Sequence, residues 1–370
     1  MSATRALRGS ASALHRIDLL CDADLEPGEL IQDLAEEIAS VIPVDAYFLS
    51  ATDPHTLLAL GGGVVHAMDE EMCTPFWSYE FEVPDFNKFA DLARSDRPVA
   101  DLHKATGGRP ERSARWRILH DYGCYDAELR GALTAGGRTW GVLHLNREGN
   151  RGFDASEVAF VEAIAPLAGA ALRRGMTTTP ARDAAERGPG MAIFDADDTL
   201  LSATAQALEW FEQIDAYRIR TDPRLGVDVP YEVLHVAQTA RARAMSGDPT
   251  AEMVRTRART RAGGWVLVHG SSMRGAEETT AVVVERAKAS EVAPLIVEAY
   301  QLTARELDVT HALARGLSTN EIAAELHLSR YTVQDHLKSI YEKTGVAGRS
   351  ELMAKMFADH YHDRADTRHV

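Results

Sequence analysis

The 370-residue chain holds only three cysteines, Cys21, Cys73 and Cys124. They are odd in number and far apart, which excludes a disulfide framework and any CxxC metal site. No run of about 18 apolar residues occurs. The opening residues MSATRALRGSASALHR lack the apolar centre of a secretory signal, so the expectation is a cytoplasmic chain with no membrane partner. A Gly-rich phosphate loop is missing too, and no ATP-dependent chemistry is read. Positive charge is in deficit, with a net charge of -15. The deficit is uneven, because residues 301–370 carry nine Lys or Arg against ten Asp or Glu. A nearly neutral tail on an acidic body is compatible with DNA contact, at modest non-specific affinity.

What is present describes a folded protein. Hydrophobic residues make up 45% and charged residues 26% of the chain, an ordinary balance, and the length suits two or three cores. Apolar periodicity lapses in RRGMTTTPARDAAERGPG (173–190) and again around KASEVAPLIVEAYQ (288–301). The expected organisation is a flexible N-terminus at 1–13, a first domain at 14–174 and a linker at 175–187. A second domain at 188–287, a connector at 288–301, a helical domain at 302–358 and a tail at 359–370 follow. The fold class is thus multidomain: two α+β domains with antiparallel sheets, then an all-α domain of four helices.

In the first block, PGELIQDLAEEIASVIP has helical periodicity, VDAYFLSA and TLLALGG read as strands, and DEEMCTPFWSYEF and RPERSARWRILHDYG read as helices. CYDAELRGALTA and RTWGVLHLNRE flank Gly136-Gly137 as a hairpin. DASEVAFVEAIAPLAGAAL closes the block as a helix with a stripe of Val161, Ile164, Ala168 and Leu172. This order, with the phrase GVLHLNRE followed by Phe153 and a helix, resembles a GAF domain, a small-molecule sensor module. His66 and Cys73 stand where such proteins line a pocket, although a lone histidine is far more often structural than a ligand.

The second block opens with FDADDTLLS from Phe194, whose Asp195, Asp197 and Thr199 match the Asp-x-Asp-x-Thr signature of haloacid dehalogenase-like phosphatases. That chemistry needs a parallel strand, a later Lys and a further acidic pair for magnesium. The chain instead continues into MVRTRARTR, Gly263-Gly264, WVLVHGSS and TTAVVVERA, whose short turns force antiparallel pairing. The Asp cluster reads more simply as a turn in which carboxylates accept from backbone amides. The block resembles a PAS-like sensor domain with a three-stranded meander. Arg255, Arg257, Arg259 and Arg261 alternate along one strand and are expected on a solvated face.

The third block is the most informative. LTARELD, LSTNEIA and LSRYTV each set a leucine before Thr303, Ser318 or Ser329 and an apolar residue five positions after that leucine. Each is a helix start with a capping hydroxyl and a hydrophobic staple, and Glu306 and Glu321 complete capping boxes. Gly316 ends the first helix, and LHLS makes the tight link of a helix-turn-helix. The match of Leu302, Thr303, Arg305, Glu306, Gly316, Ser318, Glu321, Ile322, Ala323, Leu328, Ser329, Thr332, Val333, His336, Leu337, Ile340, Lys343, Gly345, Val346 and Arg349 resembles the LuxR/NarL-type DNA-binding domain.

At 100° per residue, Val333, Leu337 and Ile340 face a core, while Tyr331, Gln334, Asp335, Lys338 and Glu342 share the opposite side. The resemblance implies that this side enters the major groove, Gln334 reading adenine, Lys338 guanine or phosphate, and Asp335 accepting from cytosine N4. Ser329, Arg330 and Thr332 are expected at phosphate, with His336, Lys343 and Arg349 as flanking contacts. Asp335 departs from the apolar or basic residue usual in the family. The implied function is a one-component transcriptional regulator and not an enzyme. Implied partners are double-stranded DNA, a second copy of the chain, RNA polymerase and a small-molecule effector of unmarked identity. No cofactor is identified. The readings left beside it are the phosphatase and a sensor whose helix-turn-helix mediates protein contacts.

Overall fold

The two glycines at 136 and 137 adopt φ of 62° and 74°, the left-handed pair that a two-residue hairpin turn requires. They join β4 (Tyr125–Ala135) to β5 (Arg138–Glu148), the centre of a five-stranded sheet. The computed structural model describes residues 2–23, 25–177, 187–246, 253–273, 275 and 278–357.

The first lobe runs α1 (Ser2–Asp22), α2 (Pro27–Val41), β1 (Ala46–Thr52), β2 (Ala59–His66), α3 (Glu70–Glu82) and α4 (Phe89–Leu92). It continues through β3 (Val99–Asp101), α5 (Leu102–Thr106) and α6 (Ala114–Gly123) to the hairpin and α7 (Ala155–Gly175). The sheet order is β2-β1-β5-β4-β3, antiparallel throughout. Residues 2–13, expected to lack regular structure, lie within α1, where Ala13, Ile17 and Cys21 form a buried face. Helix α7 is long and apolar enough to cross a membrane by length and composition. Its stripe of Val161, Ile164, Ala168 and Leu172 is nevertheless fully buried. Gly169 lets the helix approach β4 so closely that a Cβ there would meet the Thr134 backbone at 2.7 Å. Each such apolar side chain contributes about 1.5–3 kcal/mol by burial.

The second lobe contains β6 (Gly190–Phe194), β7 (Leu200–Ala203), α8 (Ala205–Gln213), β8 (Ile219–Thr221), β9 (Asp228–Pro230) and α9 (Tyr231–Ser246). The meander β10 (Val254–Arg259), β11 (Trp265–Met273) and β12 (Thr279–Arg286) completes it. Its sheet order is β10-β11-β12-β6-β7, again antiparallel, and β8-β9 form a separate ribbon. Helix α9 lies between the Asp195 turn and the meander. Every residue from Tyr231 to Arg241 is buried.

The cause is that the two lobes form one unit, ending at Arg286. One apolar cluster runs from Phe48, Phe76 and Trp77 of the first lobe to Val233, Val236 and Val268 of the second. Thr56 and Thr256 hydroxyls lie 3.1 Å apart, and Arg257 donates to Asp53 Oδ2 at 2.6 Å. Gly61, Gly62 and Gly63 on β2 admit the segment after α8: Gly62 N donates to Asp215 O at 2.8 Å. A Cβ on Gly63 would sit 2.5 Å from Tyr217 Cβ. The arginine row is therefore solvated only in part: Arg255 and Arg261 are exposed as expected, whereas Arg257 and Arg259 reach carboxylate and carbonyl groups of the first lobe.

A second unit begins at Ala287. It comprises α10 (Ala289–Ala299), α11 (Ala304–Ala314), α12 (Thr319–Glu325), α13 (Arg330–Thr344) and α14 (Arg349–Phe357). Its core gathers Val297, Val309, Leu313, Ile322, Val333, Leu337, Ile340, Val346 and Leu352.

Candidate nucleic-acid interface

Three hydroxyls start the helices that build this site. Glu306 N donates to Thr303 Oγ1 at 3.3 Å, and the Glu306 carboxylate accepts from Thr303 N at 2.7 Å. Glu321 N donates to Ser318 Oγ at 3.4 Å, with the reciprocal bond from Ser318 N at 2.7 Å. Thr332 N donates to Ser329 Oγ at 3.0 Å. Both capping boxes therefore close, each answering donors that the first turn leaves unpaired. Gly316 takes φ 92° and Gly345 φ 65° beyond the ends of α11 and α13. In the link between α12 and α13 the left-handed position falls to His327, φ 54°, and Leu328 N bonds back to Ala323 O at 2.9 Å. Ala323 is 8% exposed in this corner.

With α12 and α13 fixed, α13 divides into two faces. Val333, Leu337 and Ile340 are buried, whereas Tyr331, Gln334, Asp335, Lys338 and Glu342 are exposed. Tyr331 is 80% exposed, the most open large hydrophobic side chain among the described residues. Ser329 and Arg330 are exposed at the helix start, and Thr332 and His336 are half-buried at its flank. A groove of about 530 Å³ runs beside the stripe, lined by Thr319, Gln334, Leu337, Lys338, Tyr341 and Glu342 among others.

Lys343 and Arg349 are differently employed. Lys343 Nζ donates to Glu306 Oε2 at 2.6 Å and Gln301 O at 3.1 Å. Arg349 donates to the Leu317 and Leu313 carbonyls at 2.8 and 3.1 Å, near the end of α11. Burial pushes the Glu306 carboxyl up. Hydrogen bonds from Lys343, Ser339 and Thr303 outweigh it and hold the group at about 2.

The sensor lobes hold further polar groups. Asp195 Oδ1 accepts from Asp197 N and Thr199 N at 3.0 and 2.8 Å, so this carboxylate closes its own turn. Asp198, at φ 61°, is buried against Arg241 at 2.6 Å and Gln238 at 2.7 Å. His66 stacks on Tyr47 with centroids 4.8 Å apart, and Cys73 Sγ accepts from Arg218 at 3.3 Å. No cluster of three metal-ligating side chains exists among the described residues. Beneath α3 and α6 the first sheet carries fully buried Glu128, Arg130, His144 and Asn146, and the equally buried Arg115 reaches them from α6. Burial opposes ionisation of Glu128, but Arg115, donating from Nε and Nη2 at 2.8 Å, holds its carboxyl well below the usual range. Burial also lowers the His144 imidazole. Both amide atoms of Asn146 and Nδ1 of His144 have no hydrogen-bond partner among the described residues.

A capped helix-turn-helix with a polar exposed recognition helix defines a DNA-binding type of protein. Residues 300–356 match the family described as "Bacterial regulatory proteins, luxR family", and residues 26–172 match the GAF domain. Spore germination protein GerE of Bacillus subtilis (strain 168) is 40% identical over 55 residues, 15% of this chain and 74% of that protein. The chain belongs to the luxR family of bacterial regulatory proteins. Transcriptional regulatory protein UhpA of Escherichia coli (strain K12) is 48% identical over 56 residues. That match covers 15% of this chain and 29% of UhpA, so the chain spans less than a third of that relative. Among solved structures, the GAF domain from an Acinetobacter phosphoenolpyruvate-protein phosphotransferase is 14% identical with a TM-score of 0.34. It covers 49% of this chain and 100% of that one.

Proposed function

We propose that this chain is a one-component transcriptional regulator that reads double-stranded DNA through α13 under control of its two α+β lobes. The observation that carries the reading is the exposed stripe of Gln334, Asp335 and Lys338 on a helix whose other side is locked into a core. Gln334 would pair with adenine, Lys338 with guanine or phosphate, and Asp335 with cytosine N4. Ser329, Arg330, Tyr331, Thr332 and His336 would meet the flanking backbone. Lys343 and Arg349 act first as internal pins and only secondarily as contacts. The reading extends to a homodimer, an RNA polymerase contact and a cytoplasmic location, which follow from the family and not from a measured geometry.

The domain limits at 14–174, 188–287 and 302–358 belong to the same proposal, with a PAS-like second lobe. The sheet order β10-β11-β12-β6-β7 with α8 and α9 inserted before the meander supports that assignment. The antiparallel neighbours of β6 and the turn role of Asp195 favour a non-enzymatic second lobe over a phosphatase. The effector face proposed is the helix-covered side of the first sheet, where unpaired Asn146 and His144 atoms cost about 1–3 kcal/mol each unless a polar molecule engages them. Thermal shifts with small polar compounds, abolished by Asn146→Leu, check that part.

The main test selects and sequences duplexes bound by the protein from a random library at two salt concentrations. Wild type enriches one sequence. Lys338→Ala loses about 5- to 150-fold in affinity if the contact is to a base, or lowers the salt slope by about one if it is to phosphate. No enrichment at low salt, or an unaltered Lys338→Ala protein, overturns the reading.

A further inference from the structure

Four cations of the C-terminal unit sit on anions. Arg305 lies 3.4 Å from Asp308, Arg315 meets Glu325, Lys338 lies 3.9 Å from Glu342, and Lys343 lies 2.6 Å from Glu306. The net charge of the whole chain is -15. Non-specific affinity for DNA comes almost entirely from unpaired cations that displace counterions. Among the described residues, these four cations are thus partly neutralised by their own unit before any DNA arrives.

One of these pairs lies on the reading face itself. Glu342 follows Lys338 by one helical turn, both exposed, at 68% and 78%, and both line the groove beside α13. An exposed i,i+4 pair contributes little to stability, so Glu342 is not there to hold the helix. Its position gives it another effect. Against a non-cognate duplex Lys338 is offered only phosphate charge, and Glu342 both shares that cation and repels the backbone. Against a cognate duplex a guanine edge offers Lys338 a directional hydrogen bond that a screened carboxylate does not cancel.

We infer that Glu342 is a specificity determinant: it lowers affinity for non-cognate DNA more than for the operator. The inference rests on the reading that α13 enters the major groove. It assigns to Glu342 a discriminating role that acts through its charge beside Lys338.

The test uses the full 370-residue protein, the duplex that wild type enriches from a random library, and a scrambled duplex of equal length. Affinities are measured from 0.1 to 1 M salt for wild type, Glu342→Gln and Lys338→Ala. One effective charge alters affinity about eightfold over that range, from a slope of about 0.9 per phosphate neutralised. Glu342→Gln is expected to bind the scrambled duplex about five- to tenfold more tightly at 0.1 M, with a salt slope steeper by about one. Operator affinity changes by less than about threefold, because the base contact persists.

Unchanged affinity and slope on the scrambled duplex, or equal gains on both duplexes, overturn the assignment while Lys338→Ala still loses operator binding. Wild type enriching no sequence is a different failure, that of the DNA-reading proposal itself, and the assignment falls with it.

Discussion

Glu306 offers the most demanding check on how the DNA-binding unit is held together. Its carboxylate is 3% exposed and accepts from Thr303 N at 2.7 Å, Ser339 Oγ at 2.6 Å and Lys343 Nζ at 2.6 Å. It therefore ties the start of α11 to two successive turns of α13, the helix that carries the reading stripe. Holding the group at about 2 instead of the ordinary 4.5 stabilises the unit at neutral pH, by about 2 kcal/mol once solvent screening of the partly exposed Lys343 is discounted. Glu306→Gln keeps an acceptor for the cap and loses the charge that Lys343 needs, so a loss of about 2 kcal/mol is expected.

For a unit of this size that is roughly 8–16 °C in the melting temperature. The assay is thermal and urea unfolding of a fragment spanning residues 287–370 at pH 7 and down to pH 2. Because the folded group binds its proton less readily than the unfolded one, its contribution is complete above pH about 4.5 and is lost as the pH falls toward 2. The variant should lack this part of the acid slope. A Gln variant as stable as wild type at pH 7, or one that keeps the full acid slope, refutes the pin.

Two further outcomes test the junction of the lobes. Burial raises the Glu232 carboxyl to about 8, with the Asp215 charge adding to it against hydrogen bonds from the Glu232 and Tyr217 amides. Here the unfolded chain releases its proton first, so the stability of the sensor unit should fall as pH rises from 4.5 toward 8 and level off above. Glu232→Gln should flatten that decline in pH-dependent urea unfolding, and an undiminished decline refutes the assignment. Gly63→Ala places a methyl 2.5 Å from Tyr217 Cβ and 3.2 Å from Leu49 O. It should cost about 1–3 kcal/mol by overpacking and raise cleavage of the sensor unit in limited proteolysis; a wild-type digestion pattern contradicts the close approach.

Local signals were the legible ones. The hairpin follows from two glycines, α7 from one apolar stripe, and the starts of α11, α12 and α13 from a hydroxyl with its leucine. In each case the residues that determine the element also contact one another. Helix α9 was illegible for the opposite reason. Its Glu232, His235, Gln238 and Arg241 are residue types most often found at the surface, yet they are buried by residues far away in sequence: Trp77 against His235 at 4.3 Å, and Asp198 beneath Gln238 and Arg241. The run Gly61-Gly62-Gly63 was the available clue, since three glycines in a strand mark a close backbone approach. Charge was legible but its destination was not, because Lys343 and Arg349 have the residue type of DNA contacts and reach instead for groups inside their own unit.

The buried polar side of α9 also bears on regulation within the sensor unit. Effector control requires a ligand to favour one arrangement of the lobes over another. The proposed effector face lies under α3; elsewhere α3 presents Trp77 to His235 and the Cys73 thiol to Arg218, which also donates to the Met68 carbonyl just before the helix. His235 Nε2 lies 3.0 Å from the Tyr217 hydroxyl, and burial drives the imidazole down to about 3, so the pair works as a neutral hydrogen bond and not as an ion pair. Sliding α3 across this contact would expose or strand polar groups that have no water to turn to. The lobes are therefore more apt to shift together between discrete packings than to adjust continuously, and a ligand bound beneath α3 would be felt by α9 as a change of packing.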